Sequence, residues 1–600
     1  MQHSSFIKEL YFKSLTPFEK LELSRAYPSS FEIINESTDY LDYWRRTVSK
    51  ENCSTTFNNY LTANNLDQID VSLMMSGIVC SAEDLHLPVW IEILAAVLNQ
   101  IDVLLMRSAE HPKEAFYPFF YPFIDYFNQQ LQQNLSHSKG LLTGTLINQL
   151  DTALYKGLFS IAQSVLLFES NELKKESIKD ELADDSDEEK FVWNTLSDSF
   201  QKLFLKYPIL ARRLATKTYR YLNFITSLLN RLDTDQADLA SHFKIRPGLI
   251  YKIHLGAGDQ HHGESTVIIE FENTNKVIYK PVNLSITSAY HQFLDWVNVN
   301  LEEELKTFRV IDKITYGWLE FVEHFPCQHI DEVKRYYEKA GVLLGVAYFL
   351  NATDFHFENV IASGASPVLI DHETILSPKL KTLDQVQKDH QSAVLGTVLE
   401  TSLIPVKSLG LPHYQYGFGS SAPEMKALCK SNKPVYKMTI ENLADYETEF
   451  KRGFHKLYHL ILNNKVFLLS KKSPVTNFSN LTIRLVNRPS VVYYKILKQL
   501  DQPEYLADSI KYGIKLEILA RAYRAAENWS PILKAEREQL LLNDIPAFYI
   551  NTLDNHLTLY DREIFLIKFN AVENIYHKIN DSNLTDYNDQ MALITESIKI

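Results

Sequence analysis

Four residues in the middle of the chain have the types and the order that phosphoryl transfer demands. Lys280 closes the run Lys276-Val277-Ile278-Tyr279-Lys280. Asp354 opens Asp354-Phe355-His356-Phe357-Glu358-Asn359, and Asp371 follows Val368-Leu369-Ile370, twelve residues beyond Asn359. Transfer of a phosphoryl group is largely positioning and charge neutralisation: a cation on the nucleotide phosphates, a carboxylate beside the acceptor hydroxyl, and oxygen ligands for Mg²⁺. Lys280 is placed to contact the α and β phosphates. Asp354 would orient or deprotonate the hydroxyl, while Asn359 and Asp371 would hold a Mg²⁺ that keeps waters and leans on the phosphates. His356 would steady the γ-phosphate or the catalytic Asp. In the competing view Asp354 and Asn359 merely cap a helix and shape a turn, and His356 is a satisfied loop histidine; that view leaves the order of Lys280, loop and Asp371 unaccounted for.

Such groups need elements to hold them. Short runs rich in Ile, Val and Tyr at 249–254, 265–271 and 276–279, separated by Gly- or Asn-containing turns, predict a three-stranded antiparallel meander. A helix is expected from 285 to about 305, a strand pair around 308–325, a long helix over 331–350 and a short strand at 368–370. Strand, Gly turn, strand, strand ending in Lys, helix, strands, helix, polar loop, strand ending in Asp is the order of parts in a kinase-like phosphotransferase. Upstream, to about residue 239, apolar spacing is mainly helical. Ser81 with Asp84 looks like a capping box for a helix at Leu87, and Pro118 and Pro122 are expected to break the aromatic stretch 116–127. The stretch 174–190, KKESIKDELADDSDEEK, is too charged to bury and reads as an exposed loop.

Composition narrows the partners. At 600 residues, 45% hydrophobic and 22% charged, the chain reads as an ordinary globular protein of several subdomains. A net charge of −13 without a sustained basic face argues against nucleic acid and suits a basic peptide better. The apolar stretch 87–106 is interrupted by Glu92, Gln100 and Asp102, so no span of the membrane is expected. The first ten residues lack the apolar core of a secretory signal, and a cytoplasmic location is expected. Cys53, Cys80, Cys327 and Cys429 have neither CxxC nor Cys-His spacing, and scattered buried thiols are expected.

The D-x-H-x-x-N and I-D pattern resembles the core of phosphoinositide-type lipid kinases more than that of protein kinases. It also resembles the dehydratase domain of the LanM enzymes, the class II lanthipeptide synthetases. Their T-D-x-H-x-E-N is matched at 353–359, their G-D-x-H turn by Gly258-Asp259-Gln260-His261, their Y-K-P by Tyr279-Lys280-Pro281, and their D-x-E by Asp371-His372-Glu373. Weaker matches lie at 398–405 and 544–548.

The resemblance implies a two-step dehydration. ATP phosphorylates Ser or Thr of a precursor peptide bearing a leader, giving ADP, and phosphate is then eliminated to leave dehydroalanine or dehydrobutyrine. By the same carry-over, elimination falls on Asp259, His261, Arg484 and Ser490, the last standing where the family has threonine. An extended chain over 483–490 would bring Arg484, Arg488 and Ser490 to one face suited to a phosphate, with Pro489 limiting it to an edge or strand end. The sequence does not single out the carboxylate that pairs with Lys280; Asp295 on the following helix is a candidate, and it also reads as an ordinary exposed helix residue. LanM enzymes usually continue into a zinc-bearing cyclase, whose cluster is absent before Ile600; it was removed, is a separate protein, or is not used. A separate cyclase and export machinery belong among the partners the resemblance suggests.

The expected fold is α+β: a two-lobed kinase-like core with a large helical N-terminal region and a helical C-terminal part. The expected organisation is a helical region over 1–242, a β-rich subdomain with the nucleotide-contacting Lys280 over 243–330, and a subdomain with the catalytic loop and metal Asp over 331–600. Two other functions share these residues: a phosphotransferase that stops at phosphorylation, and a non-catalytic peptide-binding scaffold.

Overall fold

The computed structural model describes residues 4–37, 39–49, 53–101, 116–135, 138–177, 187–378, 394–406, 416–419, 431–523, 529–565 and 567–600. The fold is mixed α+β, as expected, with helices predominating and small antiparallel sheets. The chain forms two compact units, each gathered from separate stretches. One comprises Met1–Ala237, Arg246–Asn275 and Arg488–Pro546; the other comprises Asp238–Ile245, Lys276–Asn487 and Ala547–Ile600. Among the described residues no helix is long and apolar enough to cross a membrane.

The first unit is organised by the helix Pro208–Thr234. Its apolar positions recur every three or four residues, so Leu210, Leu214, Leu222, Ile225 and Leu229 form a buried stripe. That stripe lies against the helices Val89–Leu98, Tyr117–Asn134 and Gly144–Ser177. Phe119, Phe120, Phe123 and Phe200 fill the space between them edge to face. Two expectations fail here. Pro118 stands at the start of its helix, where a missing N–H costs nothing, but Pro122 lies inside the same helix, which runs on to Asn134; burial of the rings on either side of Pro122 outweighs its one lost hydrogen bond. The helix expected to be capped by Ser81 begins only at Val89, with Pro88 preceding it and no capping box.

At 174–190 the helix Gly144–Ser177 takes the first four residues and Asp187–Ser197 the last four; residues 178–186, the bulk of the expected loop, lie outside the described residues. The helical N-terminal region also contains a two-stranded sheet that periodicity does not reveal, Phe31–Asn35 with Gly77–Cys80. Cys80 and Cys327 are buried free thiols; Cys53 is only partly so, and Cys429 is outside the described residues. A hairpin, Ile250–Leu255 with Val267–Phe271, completes what this unit gives to the site. Gln149 clamps its outer strand, accepting from Ile253 N and donating to Tyr251 O, each at 2.9 Å.

In the second unit Lys276–Lys280, Gly317–Glu320 and Val310–Asp312 form antiparallel neighbours in that order. Leu284, Phe308, Leu319, Val322 and Val368 close a core beneath them. The helices Ser285–Leu301 and Ile330–Phe349 lie close to their expected positions, and the strand expected at 368–370 is Ser366–Leu369, paired in a hairpin with Val360–Ser363. Ile330–Phe349 packs on Glu447–Asn463 through glycines: a Cβ at Gly341 would stand 1.9 Å from Phe450 O, and one at Gly453 1.8 Å from Glu338 O. Neither neighbour can yield, because both are helix backbone. Gly453→Ala is therefore expected to lower stability by about 3 kcal/mol, read as a reduced denaturation midpoint with an unchanged m-value; an unaltered midpoint would mean the helices can part freely.

Candidate active site

The residues expected to carry phosphoryl transfer all fall in the second unit. Lys280 ends its strand beside Asp371, with Nζ 2.8 Å from Asp371 Oδ1 and 3.7 Å from Glu373 Oε1. These two carboxylates, and not Asp295, are its partners; Asp295 is exposed on its helix. Burial alone would lower the pKa of the Lys280 ammonium, but the two carboxylates more than offset that and raise it. The Asp371 carboxyl is pushed up by burial and pulled down further by Lys280, to about 2. The Lys280 side chain is 9% exposed and that of Asp371 37%, so the carboxylate keeps an open side.

The loop 353–359 is fastened to the Asp371 segment at both ends. Thr353 N donates to Thr374 O at 3.2 Å while the Thr374 hydroxyl donates back to Thr353 O. At the other end Ile370 N donates to Asn359 O at 3.1 Å. Within the loop Asn359 Nδ2 donates to Asp354 O at 2.9 Å, and His356 N donates to the same carbonyl at 2.9 Å. Asp354 adopts φ 63°, a left-handed conformation that Asp tolerates better than most residues. His356 Nε2 lies 3.8 Å from Glu358 Oε2.

Arg484 also belongs to this unit, on the strand Thr482–Leu485, opposite Tyr549 and 3.7 Å from Glu373. Burial, with Glu373 second, lifts the Tyr549 hydroxyl to about 12, so it stays a donor. The extended face expected over 483–490 does not form. The strand ends at Leu485, Pro489 precedes a helix, and Ser490 is the first residue of that helix, Ser490–Leu500. Arg488 is used structurally, with Nε 2.7 Å from Glu536, whose carboxylate also takes the hydroxyls of Tyr493 and Tyr523.

His372, between Asp371 and Glu373, turns inward, with Nδ1 3.2 Å from Thr287 Oγ1 and its ring on Tyr290 and Phe308. His291 packs edge-on against Phe308 nearby. Burial lowers the His291 pKa to about 4. The unfolded chain takes up this proton near pH 6.5 and the folded chain only near 4, so stability present at neutral pH falls as pH drops through that window and levels off below it. The loss assigned to His291 is roughly 3 kcal/mol; burial holds the adjacent His372 well below the ordinary imidazole range too, so His291→Phe should make the pH dependence of denaturant unfolding shallower without abolishing it, and an equally steep profile would place the titration elsewhere.

In the first unit the turn 258–262 carries Asp259 and His261, and residues 284 positions later hold it. Asp544 accepts from Gln260 Nε2 at 3.2 Å and Gly263 N at 3.0 Å, and pairs with Arg220. Ile545 N donates to Gln260 O at 3.1 Å, and Ile545 O lies 2.7 Å from His261 Nδ1. A carbonyl can only accept, so Nδ1 carries a proton, and the lone pair of a neutral ring would lie on Nε2. Asp259 and Ser490 both line a cavity of about 490 Å³, together with Arg213, Lys217, Lys498 and Asn543. Asp544 and Lys217 were missed from sequence. The 544–548 motif hinted at the first; nothing local marks the second.

The family model described as "Domain of unknown function (DUF4135)" matches residues 207–422 and 415–551. The "Lacticin 481/lactococcin biosynthesis protein LcnDR2" of Lactococcus lactis subsp. lactis is 26% identical over 448 residues, which cover 68% of this chain and 48% of that protein. The chain thus spans about half the length of this curated relative.

Proposed function

The chain belongs to the DUF4135 family and is related to the LanM-type lanthipeptide synthetases, and from that premise we propose that it dehydrates Ser and Thr of a ribosomal precursor peptide in two steps, ATP-dependent phosphorylation and phosphate elimination. One observation carries the reading: Lys280, Asp371 and Glu373 form a charged cluster hydrogen-bonded through backbone to the Asp354–Asn359 loop. An ordinary structural ion pair has no use for a strained aspartate loop fastened to it.

The donor set fits Mg²⁺. Asn359 and Asp371 offer two oxygens, and among the described residues no group of three His, Cys, Asp or Glu could hold a metal by itself; an ion that relies on phosphate and water for its other ligands suits such a pair. Bound there, it would neutralise charge on the phosphate oxygens. Lys280 binds the α and β phosphates, and Asp354 takes or orients the proton of the substrate hydroxyl. For elimination a base removes the Cα proton, that electron pair forms the Cα–Cβ double bond, and the Cβ–O bond breaks with its electrons leaving on phosphate. His261, through Nε2, and Asp259 are the bases available, Ser490 offers its hydroxyl at a helix N-terminus, and Arg484 offers the cation for departing phosphate.

The test is to incubate a candidate precursor peptide with the protein, ATP and Mg²⁺ and to follow ADP release and peptide mass. Peptide-dependent ADP release with loss of water supports the reading. Phosphate gained and never lost makes the chain a kinase, and no ATP turnover makes it a scaffold.

A further inference from the structure

We propose that Lys217 is a binding residue for a phosphomonoester dianion, seating the phosphate of the phosphorylated peptide in the 490 Å³ cavity that Asp259 and Ser490 line. The proposal deepens the dehydratase reading and rests on it for the identity of the ligand. Three cations line this cavity, and two of them share the single carboxylate of Asp501. Arg213 Nη1 stands 2.7 Å from Asp501 Oδ1, and Lys498 Nζ is 3.5 Å from the other oxygen of the same carboxylate. Arg213 further donates to Asn543 Oδ1 and Leu500 O, which fixes it in place. Lys217 differs. Among the described residues it makes no ion pair, and its Nζ donates to the neutral Gln260 Oε1 at 3.0 Å.

The position of that ammonium is built. Gln260 is the residue after Asp259, and its amide is anchored at the other end by Nε2 donating to the buried Asp544 at 3.2 Å. Lys217 is thereby tied to the same turn that presents Asp259. It extends from the buried helix Pro208–Thr234 past Gly157, where a Cβ would approach Lys217 Cε to 3.0 Å and Nζ to 3.9 Å. The absence of a side chain at 157 leaves the path of the Lys217 side chain open. Burial lowers its pKa, which Asp544 partly restores, as expected for a cation held without a counter-ion. A dianion arriving beside it would gain a charge-assisted hydrogen bond and relieve that burial cost.

The experiment is calorimetric titration of the full chain, without ATP, with a phosphoserine-containing precursor peptide and with its unphosphorylated twin. Wild type is expected to prefer the phosphopeptide by about tenfold, and Lys217→Met, which keeps the aliphatic chain and removes the charge, to bind the two alike. Inorganic phosphate should compete with the phosphopeptide in wild type only, which separates recognition of the phosphate from that of the peptide. A second readout needs no variant: the phosphopeptide, and not its twin, should protect Lys217 from an amine-acylating reagent, mapped by mass spectrometry. Equal binding of the two peptides by wild type, a preference that survives Lys217→Met, or acylation of Lys217 unaffected by phosphopeptide would each overturn the proposal. A wild type that binds the phosphopeptide through Lys217 but never releases phosphate would retire the lyase step and leave Lys217 in its role.

Discussion

Lys280→Ala should leave a precursor peptide at its starting mass after incubation with ATP and Mg²⁺, with neither phosphate gained nor water lost. The Lys280 ammonium lies 2.8 Å from the Asp371 carboxylate and is almost wholly enclosed. Without it the Asp371 and Glu373 carboxylates would lose the cation they share, and the nucleotide phosphates would meet a more negative site. Loss of one preorganised electrostatic contact at a reacting phosphate slows transfer by roughly 10² to 10³. The variant also breaks an ion pair whose lysine is enclosed and whose carboxylate is partly open to solvent, at a cost of about 1 to 3 kcal/mol. Lys280→Met with Asp371→Asn removes both charges together, and is expected to recover stability without recovering activity. Full phosphorylation by Lys280→Ala would remove this lysine from the reaction.

Arg484→Ala should separate the two steps, allowing phosphorylation and accumulating the phosphopeptide, with elimination slowed about 10²-fold. Arg484 sits 3.7 Å from Glu373, across a carboxylate that also faces Lys280. That arrangement gives the experiment a second informative outcome. If Arg484→Ala abolishes phosphorylation as thoroughly as Lys280→Ala, Arg484 serves the phosphorylation cluster and its role in releasing phosphate must be withdrawn. Wild-type release of phosphate would remove it from both.

Local chemistry was readable in the sequence where neighbours in the chain are also neighbours in space. The 276–280 strand, the 353–359 loop and the 366–371 approach to the acid all lie within single turns or hairpins, so their order alone outlines the cluster. Its closure was not readable. Glu373 as a partner of Lys280 depends on pairing across more than ninety residues, and helix spacing, which offers Asp295, says nothing about which side chain reaches a distant strand end. The support of the 258–262 turn by Asp544 lies further out of reach, since a carboxylate in an Asp-Ile-Pro stretch carries no local sign of its partners. At 483–490 the error was one of period: Pro489, taken as a limit on a strand, instead precedes a helix, where its fixed φ and missing N–H are tolerated. Pro122 went the other way, because the burial of its aromatic neighbours is a tertiary effect that a turn signal cannot weigh.

The most direct test of the two-step account is a quenched time course of one precursor peptide with wild-type protein, ATP and Mg²⁺, each time point read by intact mass. The account predicts a phosphopeptide that rises first and then decays into the dehydrated peptide, with ADP released in step with the rise and inorganic phosphate in step with the decay. Water lost without ATP, water lost with no phosphopeptide at any time, or phosphate retained at completion would contradict it.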